Sequence, residues 1–328
     1  MISPGNRLII LCNAIDDHTR TERGIVTDSP AASRKVFLMA RALVGAGVKP
    51  LVLSMGRGRA DGSARSFSAT ARRSYGVPVV YMRFTHTRVL SEFISLISPV
   101  YILWRVRRSR GRKTIVFYNQ LPAYLVALVV AKVLGFLTVL DLEDSSIGGT
   151  TALVRIKDVI RRSAFEALCN RAMLACSALV AKTGLRPTFC YYGVVEKTAS
   201  LRDWSASRVH VLLGGTIAPD TGADLLAEAI GKLRADRPEW ARSVVFEVTG
   251  KGPSVPQLRE LATDSKVAGL VVHGRTTDAE YREIVARAHV GLALKPNEGV
   301  LAHTTFPSKV TEMAAAGMLV LSTDISDV

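Results

Sequence analysis

Short continuous apolar runs recur along the chain, each closed by polar or glycine residues and followed by a stretch with helical spacing. Residues 7–13 (Arg-Leu-Ile-Ile-Leu-Cys-Asn) form the first such run and predict a buried parallel strand. A long polar loop, residues 14–29, comes next and holds Asp16, Asp17, His18 and Arg20. Pro30 and Ala31-Ala32 open a helix to about residue 46, and 48–54 gives a second strand. Residues 57–75, rich in Arg, Ser, Ala and Gly, read as a mobile loop or a frayed helix. Strands are predicted at 77–83, 114–118, 138–142, 178–181 and 189–192, with helices at 121–134 and 153–175. Two of these strands end in polar residues, Asn119-Gln120 and Glu143-Asp144, as the wall of a ligand crevice would. Asn119, Glu143 and Asp144 are candidate contacts there, although the two carboxylates serve equally well as N-caps of the next helix.

The pattern restarts after residues 196–207, which read as a linker. Strands at 210–213, 244–249, 271–275 and 289–295 alternate with helices at 223–233, 255–262 and 278–288. Glycine-rich turns follow the first two strands, Gly214-Gly215-Thr216 and Gly250-Lys251-Gly252-Pro253, where a phosphate or sugar can come close to the backbone. The polar loop 296–305 leads into Phe306-Pro307-Ser308-Lys309-Val310-Thr311-Glu312-Met313-Ala314-Ala315-Ala316-Gly317, then a strand at 318–323. Pro307 and Ser308 predict a capped helix start; its free amides, with Lys309 beside them, suit a diphosphate. Glu312, one turn further on, is placed to accept bonds from ribose or sugar hydroxyls.

This last stretch, with the strand and loop order from residue 208 onward, resembles the nucleotide-sugar site of GT-B glycosyltransferases, in particular the retaining glycosyltransferase family 4. The resemblance implies an α/β fold of two Rossmann-like parallel-sheet domains facing each other across a cleft. Their expected bounds are 1–195 for an acceptor-side domain and 208–328 for a donor domain that stops short of the family's usual closing helices. It further implies a hexosyltransferase using a UDP- or GDP-sugar. The base would lie against 250–253 and 273–277, the diphosphate on Ser308, Lys309 and Val310, and the ribose on Glu312. Lys309 and Glu312 carry the catalytic expectation; Gly214, Gly215, Thr216, Gly250, Lys251, Arg275, Thr304 and Thr305 complete the donor side. His18, Asn119, Glu143 and Asp144 stand on the acceptor side, and His303 is a further possible sugar contact.

Besides that early stop, this sequence departs from the family pattern at three places: Ala31-Ala32 stand where paired glycines are usual, the first loop of the second unit lacks the Arg and Lys that commonly hold the diphosphate, and Thr304 stands where a first Glu is usual. No Asp-x-Asp motif is present, so no metal and no cofactor are expected. A nucleotide-sugar epimerase and a non-catalytic partner of another transferase are the competing readings.

Charge changes the picture in one respect. The chain carries 43 Lys and Arg against 28 Asp and Glu, and the excess lies wholly in residues 1–200, at +17, while 201–328 sum to −2. An anionic surface or phosphorylated substrate is implied; nucleic acid is not, for want of any recognition signature. Residues 89–104, apolar with aromatics, are interrupted by serines and Pro99 and are too short to span a bilayer; Arg105, Arg107, Arg108, Arg110, Arg112 and Lys113 follow at once. Such a helix either docks on anionic headgroups or packs in the core with a solvated basic end. The four scattered cysteines read as reduced core residues, and no signal peptide precedes the first strand. A cytoplasmic enzyme at the inner face of the plasma membrane, acting on a lipid-linked or polysaccharide-precursor acceptor, is the resulting expectation.

Overall fold

The computed structural model describes residues 7–59, 61, 65–109, 111–143, 151–196, 202–236, 238–263, 269–297 and 300–328. Two compact units divide the chain between Val194 and Val195.

The first unit runs β1 (Arg7–Cys12), α1 (Asp17–Glu22), α2 (Pro30–Gly45), β2 (Lys49–Ser54), β3 (Thr70–Ser74), β4 (Val77–Tyr81), α3 (Arg88–Val106), β5 (Lys113–Tyr118), α4 (Leu125–Val133), β6 (Leu137–Leu142), α5 (Ala152–Leu168), β7 (Arg171–Leu174) and β8 (Thr188–Cys190). Its eight strands lie in the order β3-β4-β2-β1-β5-β6-β7-β8, all parallel except β3, which runs antiparallel to β4. The central strand β1 is buried from Ile9 to Cys12, as an apolar strand covered on both faces must be. Around it Val36, Phe37 and Ala40 of α2 pack with Val52, Val79 and Val116.

The second unit runs β9 (Val209–Thr216), α6 (Ala223–Asp236), β10 (Val244–Lys251), α7 (Val255–Thr263), β11 (Gly269–Gly274), α8 (Asp278–Arg287), β12 (Val290–Ala293), α9 (Val300–Thr304), α10 (Lys309–Ala315) and β13 (Leu319–Ser322). Its five strands are ordered β11-β10-β9-β12-β13 and all run parallel. On one face Leu213, Leu226, Ile230, Val248 and Leu258 form the core; on the other Leu212, Ile284, Val285, Met313 and Ala316 do. The second unit begins before residue 208. Arg202, expected in a linker, donates to the carbonyls of Val285, Ala288 and Ala316, at the ends of α8 and α10.

Several expectations are corrected. The loop 14–29 contains α1, whose N-cap Asp16 accepts from Thr19 N at 2.7 Å. Residues 70–74 are an edge strand, legible only through its partner because Thr-Ala-Arg-Arg-Ser has no apolar run. The helix expected at 153–175 stops at Leu168, and β7 follows at once. Asn170 fixes that break: its Oδ1 accepts from both Thr138 N and Thr138 Oγ1. Residues 178–181 lie in a 3-10 turn, Ser177–Lys182, rather than a strand. The polar loop 296–305 includes the short helix α9. The expected turn at Gly214-Gly215-Thr216 is the end of strand β9, paired with β10 through Thr216↔Lys251. At nineteen residues, α3 is longer than the apolar run suggested, and its Val89–Val106 segment meets the length and apolarity of a membrane-crossing helix.

Candidate functional site

Carboxyl ends of parallel strands leave backbone groups and loop residues facing one edge, where α/β proteins place ligands. In the second unit almost every predicted donor residue lies on that edge. Gly214, Gly215 and Thr216 end β9, and Gly250 and Lys251 end β10 in register with Gly215 and Thr216. Arg275 follows the last residue of β11. Thr304 closes α9 and is buried, while Thr305 accepts a hydrogen bond from the Lys295 ammonium. Ser308, Lys309, Val310 and Glu312 begin α10.

Glycines set the distances here. A Cβ on Gly250 would lie 1.7 Å from the Gly215 carbonyl oxygen, and one on Gly252 2.0 Å from that of Ile217, so the two loops touch through backbone alone. Gly291 of β12 leaves room for Met313 of α10, which lies where a side chain would otherwise be. With α10 seated that close, Lys309 reaches across to β9. Its Cε lies 2.8 Å and its Nζ 3.2 Å from the position of a Cβ on Gly215, where φ is +102°.

Burial pushes the Lys309 ammonium down from 10.5 to about 8, against the opposing fields of Glu312 and Asp220. A cation only partly compensated at a backbone-lined edge is a receptor for an anion. Three neighbours escaped the sequence reading. Asp220 belongs to the turn after β9, Lys295 follows β12, and Tyr281 of α8 stands 3.4 Å from a Cβ on Gly214. The fold brings Asp220 into the field of Lys309, Tyr281 to Gly214 and Lys295 to Thr305, so no local spacing announces them.

One local expectation fails. Ser308 makes no side-chain cap: its backbone is already helical, with φ −53° and ψ −19°, so its hydroxyl does not receive the first amides. Thr311 donates to the Ser308 carbonyl instead.

In the first unit Asn119 follows β5 and Glu143 follows the neighbouring β6, and Asn119 N donates to Asp141 O at 2.7 Å. Asn119 adopts φ +63°, a left-handed turn that Asn tolerates better than most residues. Glu143 does not cap α5, a role taken by Thr151; it pairs instead with the ammonium of Lys35 on α2. That ammonium also lies 4.4 Å from the centre of the Tyr191 ring. Beneath them the fully buried Asp141 is held well above the usual carboxylate range by burial and then by Glu143, with Lys35 opposing. His18 is elsewhere, exposed on α1 with its Nδ1 2.5 Å from a guanidinium nitrogen of Arg72 on β3. Asp144 lies outside the described residues.

A second charged cluster centres on the buried Glu247, in the middle of β10, with partners that are partly exposed. Glu247 meets Arg287 at 2.5 Å, His210 at 2.6 Å and His273 at 2.8 Å.

Residues 208–328 match the family model described as glycosyl transferases group 1. Solved structures similar to the whole chain include Alr3699/HepE of Anabaena in complex with UDP, at 12% identity and a TM-score of 0.62, covering 98% of this chain and 81% of that one. The E. coli trehalose-6-phosphate structure bound with UDP-2-fluoro glucose has 8% identity and a TM-score of 0.62, with 98% and 85% covered. WaaG, a glycosyltransferase involved in lipopolysaccharide biosynthesis, has 14% identity and a TM-score of 0.56, with 97% and 81% covered. No curated protein sequence matches the chain. The two-sheet α/β fold, with the domain match in the second unit, is that of a GT-B glycosyltransferase.

Proposed function

We propose that this protein transfers a hexose from a UDP- or GDP-sugar to a lipid-linked or polysaccharide-precursor acceptor, with retention of configuration and without a divalent ion, as in glycosyltransferase family 4. One observation carries the reading: the Lys309 ammonium laid over the Gly215 backbone, at the edge where Gly250, Lys251 and Glu312 also meet. As the glycosidic bond breaks, negative charge grows on the departing diphosphate, and a fixed ammonium beside main-chain donors stabilises it more than it stabilises the bound donor. Glu312 takes the ribose hydroxyls, and Thr304 and Thr305 lie toward the sugar. The acceptor meets Asn119 and the Lys35–Glu143 pair in the first unit. The work is done at the inner face of a plasma membrane.

Calorimetry and thermal unfolding with UDP and GDP test the donor site. Nucleotide at ten to a hundred times its Kd stabilises the protein by about 1–3 kcal/mol, and Lys309→Ala removes most of that gain. Normal affinity in Lys309→Ala and Glu312→Ala alike would refute the assignment. Transfer from a panel of UDP- and GDP-sugars, unchanged by a chelator, tests the reaction. Asp220 favours one second reading, a fold-sharing partner that binds nucleotide without turnover, because a carboxylate beside Lys309 weakens the pull on a diphosphate. Nucleotide binding with no transfer to any acceptor would decide for it.

A further inference from the structure

In water a packed helix turns its large apolar residues inward, and α3 does the reverse. Its buried stripe is Ser91, Ser95, Pro99 and Leu103, one turn apart, with Ser95 Oγ satisfied by the Ser91 carbonyl at 2.7 Å. Its outward stripe is Phe93, Ile97, Tyr101 and Trp104, with Phe93 58% and Trp104 54% exposed. No helix gains stability in water from that arrangement.

The stripe does not stop at α3. α3 packs on α4 and α4 on α5. The connections that carry them, β4 to β5, β5 to β6 and β6 to β7, all step the same way across the sheet, so right-handed crossovers put the three helices in one layer. α4 exposes Val126, Val129 and Val133, and α5 exposes Val154, Ile156, Val159 and Ile160. Of the 26 exposed large apolar side chains among the described residues, 13 fall on these three helices, far more than their share of the chain. An apolar surface spread over three helices is more than the single exposed residues of an ordinary surface.

Charge identifies what covers it. α3 carries Arg105 in its last turn, and the chain runs on to Arg107, Arg108, Arg112 and Lys113, against Glu92 alone among the acids of that stretch. Arg107 lies over the Trp104 ring at 3.4 Å, and Arg105 over Tyr101 at 5.8 Å, so cations and aromatic rings share one boundary. α5 sets Arg155, Lys157 and Arg162 between its exposed aliphatics. Aliphatics in the centre, aromatics paired with cations at the border and a basic rim are the chemistry of a surface sunk to headgroup depth in an anionic bilayer. A second copy seated on the same face would set its cations against cations.

We propose that the α3–α4–α5 face docks the protein on an anionic phospholipid surface, with α4 and α5 contributing contact area beside α3. This deepens the proposed membrane location by naming its surface and lipid class, and it is tested without sugar transfer, so either reading can fail alone.

The chain has three tryptophans, so a Trp204→Phe, Trp240→Phe protein leaves Trp104 as the reporter. It is floated with vesicles of phosphatidylcholine, with and without phosphatidylglycerol. Co-flotation only with the anionic vesicles, a blue shift of Trp104 emission, and weakening with added salt are expected. Ile156→Ser with Ile160→Ser lowers partition about tenfold, and Arg107→Ala about fivefold. Unchanged circular dichroism and an unchanged cooperative unfolding transition show that the variants remain folded. Absence of flotation with either vesicle, an α5 variant that floats as well as its parent, or a concentration-dependent dimer that shifts Trp104 emission without lipid would each overturn the proposal.

Discussion

At the scale of single residues, Lys309 and Glu247 make opposite claims about pH. Lys309 titrates near 8 when folded and near 10.5 when unfolded, so the unfolded chain holds the extra proton between those values. Its contribution therefore makes the protein more stable as pH rises through that window. The proposed diphosphate binding is expected to run the other way, because an anion beside the lysine draws the proton back onto it. Calorimetry at about pH 9 in buffers of different ionisation enthalpy is expected to show proton uptake on UDP binding, absent in Lys309→Ala. Burial pushes Glu247 up, yet bonds from Arg287, His273 and His210 outweigh it and hold the carboxyl at about 2, below its usual 4.5. Stability from this group is present above 4.5 and lost as pH falls toward 2. Glu247→Gln is expected to cost about 2–4 kcal/mol at neutral pH and to flatten the acid limb of the stability profile, read by denaturant unfolding. That Lys309 and Glu312 share the first turn of one helix was legible because Pro307 and the breaker-free run after it have local meaning. Lys35 and Glu143 are 108 residues apart, and only the folded sheet makes them neighbours.

At the scale of elements, the contact of β9 with β10 rests on missing side chains. Gly250→Ala places a methyl on the Gly215 carbonyl at φ +140°, and we expect a loss of more than about 2 kcal/mol, read as a drop in Tm. In Gly215→Ala the methyl meets the flexible end of Lys309 and strains a backbone held at φ +102°, so nucleotide affinity and stability should both fall. Strongly periodic elements, such as β1, α2 and β9, could be read from pattern alone. Those without an apolar signature could not. β3 owes its existence to pairing with β4, and the end of α5 is fixed by Asn170 reaching back to Thr138. The serines within α3 looked like interruptions of an apolar run, and the structure gives them the inward side of the helix.

At the scale of the molecule, the alternation of strand and helix disclosed two α/β units, and charge distinguished them before any coordinates. It could not disclose where the second unit starts to fold, since residues 196–207 carry no periodic signal. The sequence likeness to known transferases opens at residue 208, yet Arg202 already closes three carbonyls at the ends of α8 and α10. Whoever excises the second unit by homology would cut away its own fastening. A fragment spanning 195–328 should melt higher than one spanning 208–328, and Arg202→Ala in the longer piece should erase most of the difference, about 1–3 kcal/mol.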